Sequence, residues 1–256
     1  MTADTGDNGL WLRRFHPVED SKVRLACFPH AGGAASFFYP FSAALTPSIE
    51  VLAVQYPGRQ DRRADPRIEN VQEFAREIVK PLLAWTDKPL ALFGHSMGAS
   101  IAFEVATLLE QEFDFRPAAL FASGRRAPSR HRDERVHQQS DDGIVAELQR
   151  LSGTDSALLG DEELLRMVLP AIRSDYKAAE TYRWQGGVPL SCPITAIVGE
   201  SDPRVTFDEA TTWGEHTRED FALRTLPGGH FYLNHHQSDV VNEISDQLIS
   251  FCAKEA

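Results

Sequence analysis

Short apolar runs alternate along the chain with segments whose apolar residues recur at helical spacing. Most of these runs do not alternate strictly between polar and apolar positions, which is typical of strands covered on both faces of a parallel sheet. Each run therefore predicts a buried strand. The predicted strands are Val23–Phe28, Glu50–Val54, Leu90–Phe93, Ala118–Ala122, Ile194–Val198 and Phe221–Leu226.

The segments between these strands predict helices. Regular alternation of strand and helix predicts an α/β fold, in which right-handed crossovers connect a mostly parallel, doubly wound sheet. We interpret residues 1–256 as one domain, because no internal repeat or low-complexity linker interrupts the pattern. The predicted helices are Phe37–Leu45, Val71–Trp85, Gly98–Glu112, Phe207–His216 and Ser238–Cys252.

One long interval, residues 124–192, contains no convincing strand. Asp141–Leu151 and Asp161–Tyr182 both have the pattern of amphipathic helices. A long helical insertion between two core strands is where such folds carry a lid over the site. The alternative is an extra packing layer with no role in access. We expect a core of about residues 20–124 and 190–254, with a helical lid insertion at about 125–189.

Composition and charge exclude several classes of protein. The chain is 42% hydrophobic and 25% charged, as expected for a globular protein with a sizeable core. The net charge of −11 argues against nucleic acid as a partner, because a phosphate-binding surface needs a basic excess. No apolar run approaches the roughly 20 residues that cross a bilayer, so we expect no membrane partner.

The N-terminal segment and the cysteines indicate the cellular compartment. The N-terminus is polar and acidic, unlike a secretion signal. The three cysteines, Cys27, Cys192 and Cys252, are widely spaced and match neither a disulfide framework nor a metal-ligand pattern. We therefore expect a cytoplasmic protein.

A serine lies between two glycines where a predicted strand gives way to a predicted helix. Gly94-His95-Ser96-Met97-Gly98 fits the Gly-x-Ser-x-Gly pattern in the strand–turn–helix setting of a nucleophile elbow. Glycine suits the two flanking positions because side chains there would collide with neighbouring backbone. The turn would raise the Ser96 hydroxyl above the sheet edge, at a helix N-terminus that favours negative charge. Ser96 is therefore the candidate nucleophile.

A serine hydroxyl needs a base, and in this fold class the partners follow in the order serine, acid, histidine. His230 lies in a glycine-rich loop just after the last predicted strand, at the sheet edge where such sites form. Asp202 follows the strand before it and is the candidate acid. Glu200 is the competing acid, and helix capping is the alternative role for Asp202. The sequence thus predicts a serine hydrolase with Ser96, Asp202 and His230 as its triad.

The triad also needs donors for the oxyanion of the tetrahedral intermediate. The glycine-rich stretch from Phe28 to Ala34 follows the first core strand and leads into a helix, as the corresponding loop does in esterases. We expect the backbone N–H groups of Ala31 and Met97 to be these donors, with His30 orienting the loop. Losing one such donor typically costs about 3–4 kcal/mol of transition-state stabilisation.

Several phrases together resemble the free-standing type II thioesterases of polyketide and nonribosomal-peptide pathways. They span nearly the whole domain, and any one of them alone would indicate only an α/β-hydrolase. They are FPHAGG (28–33), YPGR (56–59), GHSMG (94–98), SGRRAP (123–128), VGESDP (198–203) and PGGHFYL (227–233).

The resemblance implies an α/β-hydrolase fold and a defined chemistry. Members of this family hydrolyse acyl thioesters on the phosphopantetheine arm of acyl or peptidyl carrier proteins. Their usual role is to remove stalled or wrongly loaded chains. The partner implied is thus a carrier protein bearing acyl-phosphopantetheine. Such a mechanism needs no metal or organic cofactor, so we expect none. We also expect a monomer.

A local excess of arginine contrasts with the acidic chain. Residues 124–135 contain five arginines, and Arg59 belongs to a second cluster with Arg62 and Arg63. We interpret Arg59, Arg125 and Arg126 as docking residues for the acidic surface and the phosphate of a carrier protein. The alternative is an ordinary solvated face.

Three other functions remain open. One is a small-ester hydrolase or lipase-like enzyme of the same fold, which would prefer oxygen esters. Another is a binding module that keeps the fold without activity, although the complete triad argues against it. A C-terminal offloading domain of a megasynthase is less expected, because the chain begins just before its first core strand.

Overall fold

The computed structural model describes residues 7–151 and 162–254. Seven strands form one sheet in the order β1-β3-β2-β4-β5-β6-β7. β1 runs antiparallel to β3, and every other neighbouring pair is parallel. The expected doubly wound α/β sheet is therefore confirmed. The strands are β1 (Leu12–Arg13), β2 (Val23–Phe28), β3 (Ile49–Val54), β4 (Leu90–His95), β5 (Leu120–Ser123), β6 (Ile194–Gly199) and β7 (Phe221–Leu226).

Helices cover both faces of the sheet. α1, α3 and α4 pack on one face through a cluster that includes Phe74, Ile101 and Trp213. α2 and α8 cover the other face, where Phe41 and Ile244 are buried. Short 3₁₀ turns lie beside several helices. The helices are α1 (Asp7–Trp11), α2 (Tyr39–Leu45), α3 (Val71–Leu82), α4 (Met97–Phe113), α5 (Asp141–Leu151), α6 (Glu162–Thr181), α7 (Phe207–Thr211) and α8 (Gln237–Lys254).

Most predicted elements differ from the structure by one to three residues at one end or both, and one helix differs by more. The strand predicted at Ala118–Ala122 begins at Leu120 and extends to Ser123. The helix predicted at Phe207–His216 is α-helical only to Thr211 and continues as a 3₁₀ helix to His216. β1, a two-residue edge strand, was not predicted, because so short a run carries no periodicity.

The interval after β5 is helical, as the pattern predicts. α5 and α6 pack on each other and on a 3₁₀ turn at Val136–Gln138 through Ile144, Leu148, Leu169 and Tyr176. The part of the insertion at residues 152–161, including the first residue of the helix predicted at Asp161–Tyr182, lies outside the described residues. No helix of the described ranges is both long and apolar enough to cross a membrane.

Candidate active site

Ser96 occupies a sharp turn between β4 and α4. Its backbone has φ 55° and ψ −118°, a conformation that L residues rarely adopt. Two hydrogen bonds fix the turn: Ser96 N donates to the Ser123 carbonyl (2.8 Å), and Ala99 N donates to the Ser96 carbonyl (3.0 Å). Strain of this kind is retained where the surrounding structure holds it.

The two flanking glycines are required by close backbone approach. A Cβ at Gly94 would lie 2.2 Å from the carbonyl oxygen of Gly98, and a Cβ at Gly98 would lie 2.0 Å from the carbonyl oxygen of Phe28. Both obstacles are main-chain atoms, which cannot move aside as a flexible side chain could. The elbow therefore has room for glycine alone at these two positions.

The structure brings Ser96, His230 and Asp202 into one hydrogen-bonded chain. His230 Nε2 lies 2.9 Å from Ser96 Oγ, and His230 Nδ1 lies 2.8 Å from Asp202 Oδ2. The second carboxylate oxygen of Asp202 accepts the backbone N–H of Arg204 (2.8 Å). Asp202 and His230 are buried, whereas Glu200, the competing acid, is exposed. Asp202 is thus the carboxylate that the fold pairs with the histidine.

Close contact between two loops places the acid beside the histidine. The loop after β6 and the loop after β7 are joined by Glu200 N donating to the Leu226 carbonyl (2.9 Å) and Ser201 N donating to the Gly228 carbonyl (3.0 Å). At Gly199 a Cβ would lie 2.3 Å from the carbonyl oxygen of Gly229. The pairing of β6 with β7 therefore fixes the positions of Asp202 and His230 relative to each other.

A buried polar network that no pattern in the sequence indicates lies beneath the histidine. Tyr232 donates its hydroxyl hydrogen to the Ile197 carbonyl (3.0 Å), so it accepts from Ser123 Oγ (2.5 Å). Ser123 must then accept from His95 Nδ1 (2.8 Å), which places the imidazole proton of His95 on Nδ1. The network joins the elbow and the ends of β5 and β6 to the loop that carries His230.

Two other imidazoles lie near His230 and stay neutral. Burial, reinforced by the His230 charge, lowers the pKa of His95. Burial, with smaller contributions from His230 and Arg59, lowers the pKa of His30 to about 3. The His30 ring packs edge-on against Phe37 and Phe231, with ring centroids 4.8 and 4.9 Å apart. His30 therefore serves as an uncharged packing element of its loop.

The two candidate oxyanion donors belong to separate segments, the start of α4 and the loop after β2. Met97 is the first residue of α4, so its N–H has no partner within the helix. Ala31 lines the pocket that holds Ser96 and His230. Among the described residues no acceptor is paired with the Ala31 N–H. Within the part of the chain that the structure describes, both N–H groups are thus without a hydrogen-bond acceptor, as an oxyanion donor must be.

The cavity over Ser96 is small, with a volume of about 40 Å³. The insertion supplies much of its wall, through Leu148 and Leu151 of α5 and Tyr176 of α6. Charged side chains also line it. Although burial raises the pKa of Glu134, its hydrogen bond to Arg126 and the nearby positive charges bring that pKa down to about 2. Glu134 is therefore ionised.

The three arginines predicted to dock a carrier protein are not on an open surface. Arg59 is buried and pairs with Asp175 (2.7 Å), and Arg126 is buried and pairs with Glu134 (2.6 Å). The docking prediction is wrong for these two, because internal carboxylates already satisfy their guanidinium groups. Arg125 is half-buried and lines the Ser96 pocket. Burial and the neighbouring Arg126 lower its pKa to about 9, so it stays charged near neutral pH.

Comparison with known proteins identifies the family of this chain. The family model described as a thioesterase domain matches residues 23–248. The chain belongs to the thioesterase family. All three triad candidates and both oxyanion candidates lie within the matched range. The fold, a mostly parallel seven-stranded sheet with helices on both faces, is the α/β-hydrolase fold of these enzymes.

Several individual proteins are similar to this chain over most of their own length. Thioesterase PikA5 of Streptomyces venezuelae is 54% identical over 244 residues, covering 95% of this chain and 87% of the relative. The gramicidin S biosynthesis protein GrsT of Aneurinibacillus migulanus is 35% identical over 239 residues and covers 93% of each chain. The solved structure of the type II thioesterase BorB from the borrelidin biosynthetic cluster has a TM-score of 0.88 and 50% identity, and covers 93% of this chain and 98% of its own.

Proposed function

We propose that this thioesterase hydrolyses acyl groups from the phosphopantetheine arm of acyl or peptidyl carrier proteins, with Ser96, His230 and Asp202 as its catalytic residues. The observation that carries the proposal is the hydrogen-bonded chain from Ser96 Oγ through His230 to Asp202, with spacings of 2.9 and 2.8 Å. The distances suit proton transfer from a nucleophile to a general base.

Acylation follows from this geometry. His230 Nε2 takes the proton of Ser96 as the oxygen attacks the thioester carbonyl, and Asp202 stabilises the imidazolium that forms. The negative charge that develops on the carbonyl oxygen is stabilised by the N–H groups of Ala31 and Met97. The thiol then leaves with the proton that His230 returns, and the acyl group is bound to Ser96 as an ester.

Deacylation repeats the same steps with water. His230 removes a proton from the water that attacks the acyl-Ser96 ester, the same two N–H groups hold the second oxyanion, and Ser96 leaves with the proton. The residues therefore return to their starting protonation states. Besides the substrate and this water, the cycle uses only the chain's own side chains and backbone.

The relatives support a carrier-bound substrate and an editing role. BorB is a type II thioesterase from a biosynthetic cluster, and GrsT is a gramicidin S biosynthesis protein. Enzymes of such pathways carry their intermediates as thioesters on carrier proteins, as the resemblance stated above implies. We assign this chain the same role, which is the removal of stalled or misloaded acyl groups from the carrier protein.

Two parts of the site are assigned to substrate access. We propose that the insertion acts as a lid, because α5 and α6 wall the pocket over Ser96. Arg125 is assigned to contact with the bound substrate within that pocket. Its Nε and Nη2 atoms donate to Ser100 Oγ and to the Ala179 carbonyl, both at 2.9 Å, which holds the guanidinium at the pocket wall.

The test uses intact mass spectrometry of several acylated carrier proteins before and after incubation with the enzyme. The wild-type chain is expected to remove the acyl mass, and the Ser96→Ala variant is expected to leave it in place while unfolding at the same temperature. Fast cleavage of small oxygen esters with no loss of acyl mass from any carrier would instead identify a small-ester hydrolase.

A further inference from the structure

Asp175, in the middle of α6, is fully buried and reaches out of the insertion to the loop that carries Ala31. Its Oδ2 atom accepts the backbone N–H of Gly32 (2.7 Å) and Nη1 of Arg59 (2.7 Å), and its Oδ1 atom accepts Nη2 of Arg59 (2.8 Å). A single carboxylate thus binds the residue directly after Ala31.

Arg59 extends this contact to a second segment of the chain. Besides Asp175, its guanidinium donates to the carbonyl of Gly33 (3.0 Å) and to the carbonyl of Pro57 (3.1 and 3.2 Å). Nearby, the Tyr56 hydroxyl donates to the Pro29 carbonyl (3.1 Å). The loop is therefore held on both sides of Ala31, by groups that lie outside it.

The hydrogen bonds dictate where the Ala31 N–H points. Gly33 N donates to the His30 carbonyl (2.9 Å), which closes a tight turn over residues 30–33. In a trans peptide the N–H points opposite to the C=O of the same unit. Since the His30 carbonyl is turned toward Gly33, the N–H of Ala31 points away from Gly33. Ala31 itself is one of the residues that line the Ser96 pocket.

Asp175 fixes the orientation of the peptide between Ala31 and Gly32, which is the unit directly after the Ala31 N–H. Gly32 has φ +78°, as in a type II turn, whose central peptide is rotated by about 180° relative to type I. In the observed orientation the Gly32 N–H meets the carboxylate. After rotation the carbonyl oxygen of Ala31 would face that carboxylate instead, and the two negative groups would repel each other.

We propose that Asp175 and Arg59 are positioning residues that hold the Ala31 N–H in place as an oxyanion donor, so that docking of α6 sets the reactivity of Ser96. The inference rests on the function proposed above. A buried ion pair is weak support for stability, because its desolvation offsets much of its attraction. An apolar pair of the same volume could not make the hydrogen bonds that this ion pair makes to the backbone of Gly32 and Gly33.

The test is Asp175→Asn, measured with a small soluble acyl thioester so that carrier docking plays no part. A misplacement of about 1 Å at a reacting group can cost about 100-fold in rate. We therefore expect the acylation rate to fall at least ~10-fold, with KM within ~2-fold of wild type. The affinity for a trifluoromethyl ketone, which forms a tetrahedral adduct with the serine, should fall in parallel.

Glu50→Gln is the matched control. Glu50 is a buried carboxylate of β3 that binds Arg24 and Arg14, far along the strand from the Ser96 edge. Both variants remove one charge from a buried ion pair, so both should lower the free energy of unfolding, and only Asp175→Asn should slow acylation. If Asp175→Asn does not fold, Asp175→Glu keeps the charge and shifts the carboxylate away from Gly32, and the same loss of rate is expected.

The outcomes separate the two proposals. A folded Asp175→Asn or Asp175→Glu enzyme with the acylation rate of wild type would overturn the positioning role, and an equal loss of rate in Glu50→Gln would do so too. In either case an inactive Ser96→Ala variant would leave the proposed function intact. A fully active Ser96→Ala variant would overturn the proposed function itself.

Discussion

His216 shows how burial changes the acid–base behaviour of a single side chain outside the active site. It is buried against Trp184 and Phe103, with ring centroids 4.6 and 5.5 Å apart, and its Nε2 lies 2.9 Å from Ser129 Oγ. Burial lowers its pKa from 6.5 to about 4. The folded protein therefore keeps this imidazole neutral where the unfolded chain would protonate it.

This shift predicts a loss of stability in acid. A histidine whose pKa is lowered by folding binds its proton only after unfolding, so the free energy of unfolding falls as the pH drops from about 6.5 toward 4. The His216→Gln variant should take up ~1 proton fewer on unfolding near pH 5 and show a shallower pH dependence. Urea unfolding at several pH values between 4 and 7.5 measures both slopes, and identical slopes would contradict the assignment.

Single residues differ in how well the sequence identifies them. Ser96, Asp202 and His230 could be named in advance because each sits at a fixed place relative to a strand end. Asp175 could not be named, since nothing in a helical pattern marks one carboxylate as facing a loop more than 140 positions earlier. The burial of Arg59 and Arg126 was missed for the same reason: a run of arginines does not show which carboxylates come to meet them.

Helices and strands were predicted more reliably than their contacts. The six longer strands were located by their apolar runs, because a parallel sheet buries both faces of each strand. Helix ends were less certain, because the chain tightens into 3₁₀ turns at several of them, for example at Leu83–Trp85 after α3. The packing of α5 and α6 over the pocket depends on tertiary contacts that a hydrophobic pattern cannot specify.

Arg204 links the insertion to the loop that carries Asp202. Its guanidinium pairs with Glu134 (2.9 Å) and with Glu147 of α5, and it lies 5.6 Å from the ring centroid of Tyr176 on α6. One side chain of the core thus contacts three parts of the insertion. Partly buried, networked pairs of this kind contribute more than exposed pairs do.

Loss of this link should loosen α5. We expect amide hydrogen exchange over residues 141–151 to quicken at least ~10-fold in Arg204→Met, because the helix loses its ion pair to the core. Arg150→Met is the matched control: Arg150 also binds Glu147, but from an exposed position on the same helix. The same exchange rate in wild type and both variants would show that α5 is held by apolar packing alone.

At the scale of the whole molecule, the chain is acidic but its site is built from local charge pairs. The net charge of −11 does not describe the pocket, where Arg125, Glu134 and Arg204 lie together. The fold brings the elbow after β4, the loops after β6 and β7 and the loop after β2 to one edge of the sheet. The catalytic residues come together because these strands are parallel, so that their carboxyl ends meet at the same edge of the sheet.

Labelling with a fluorophosphonate, followed by peptide mapping, shows whether His230 activates Ser96, because the probe reacts with a serine that a histidine has activated. We expect one adduct per chain, on the peptide that contains Ser96, no adduct in Ser96→Ala, and much slower labelling in His230→Ala. A chain that stays unlabelled, or that carries its adduct on another residue with Ser96 unmodified, would contradict the account.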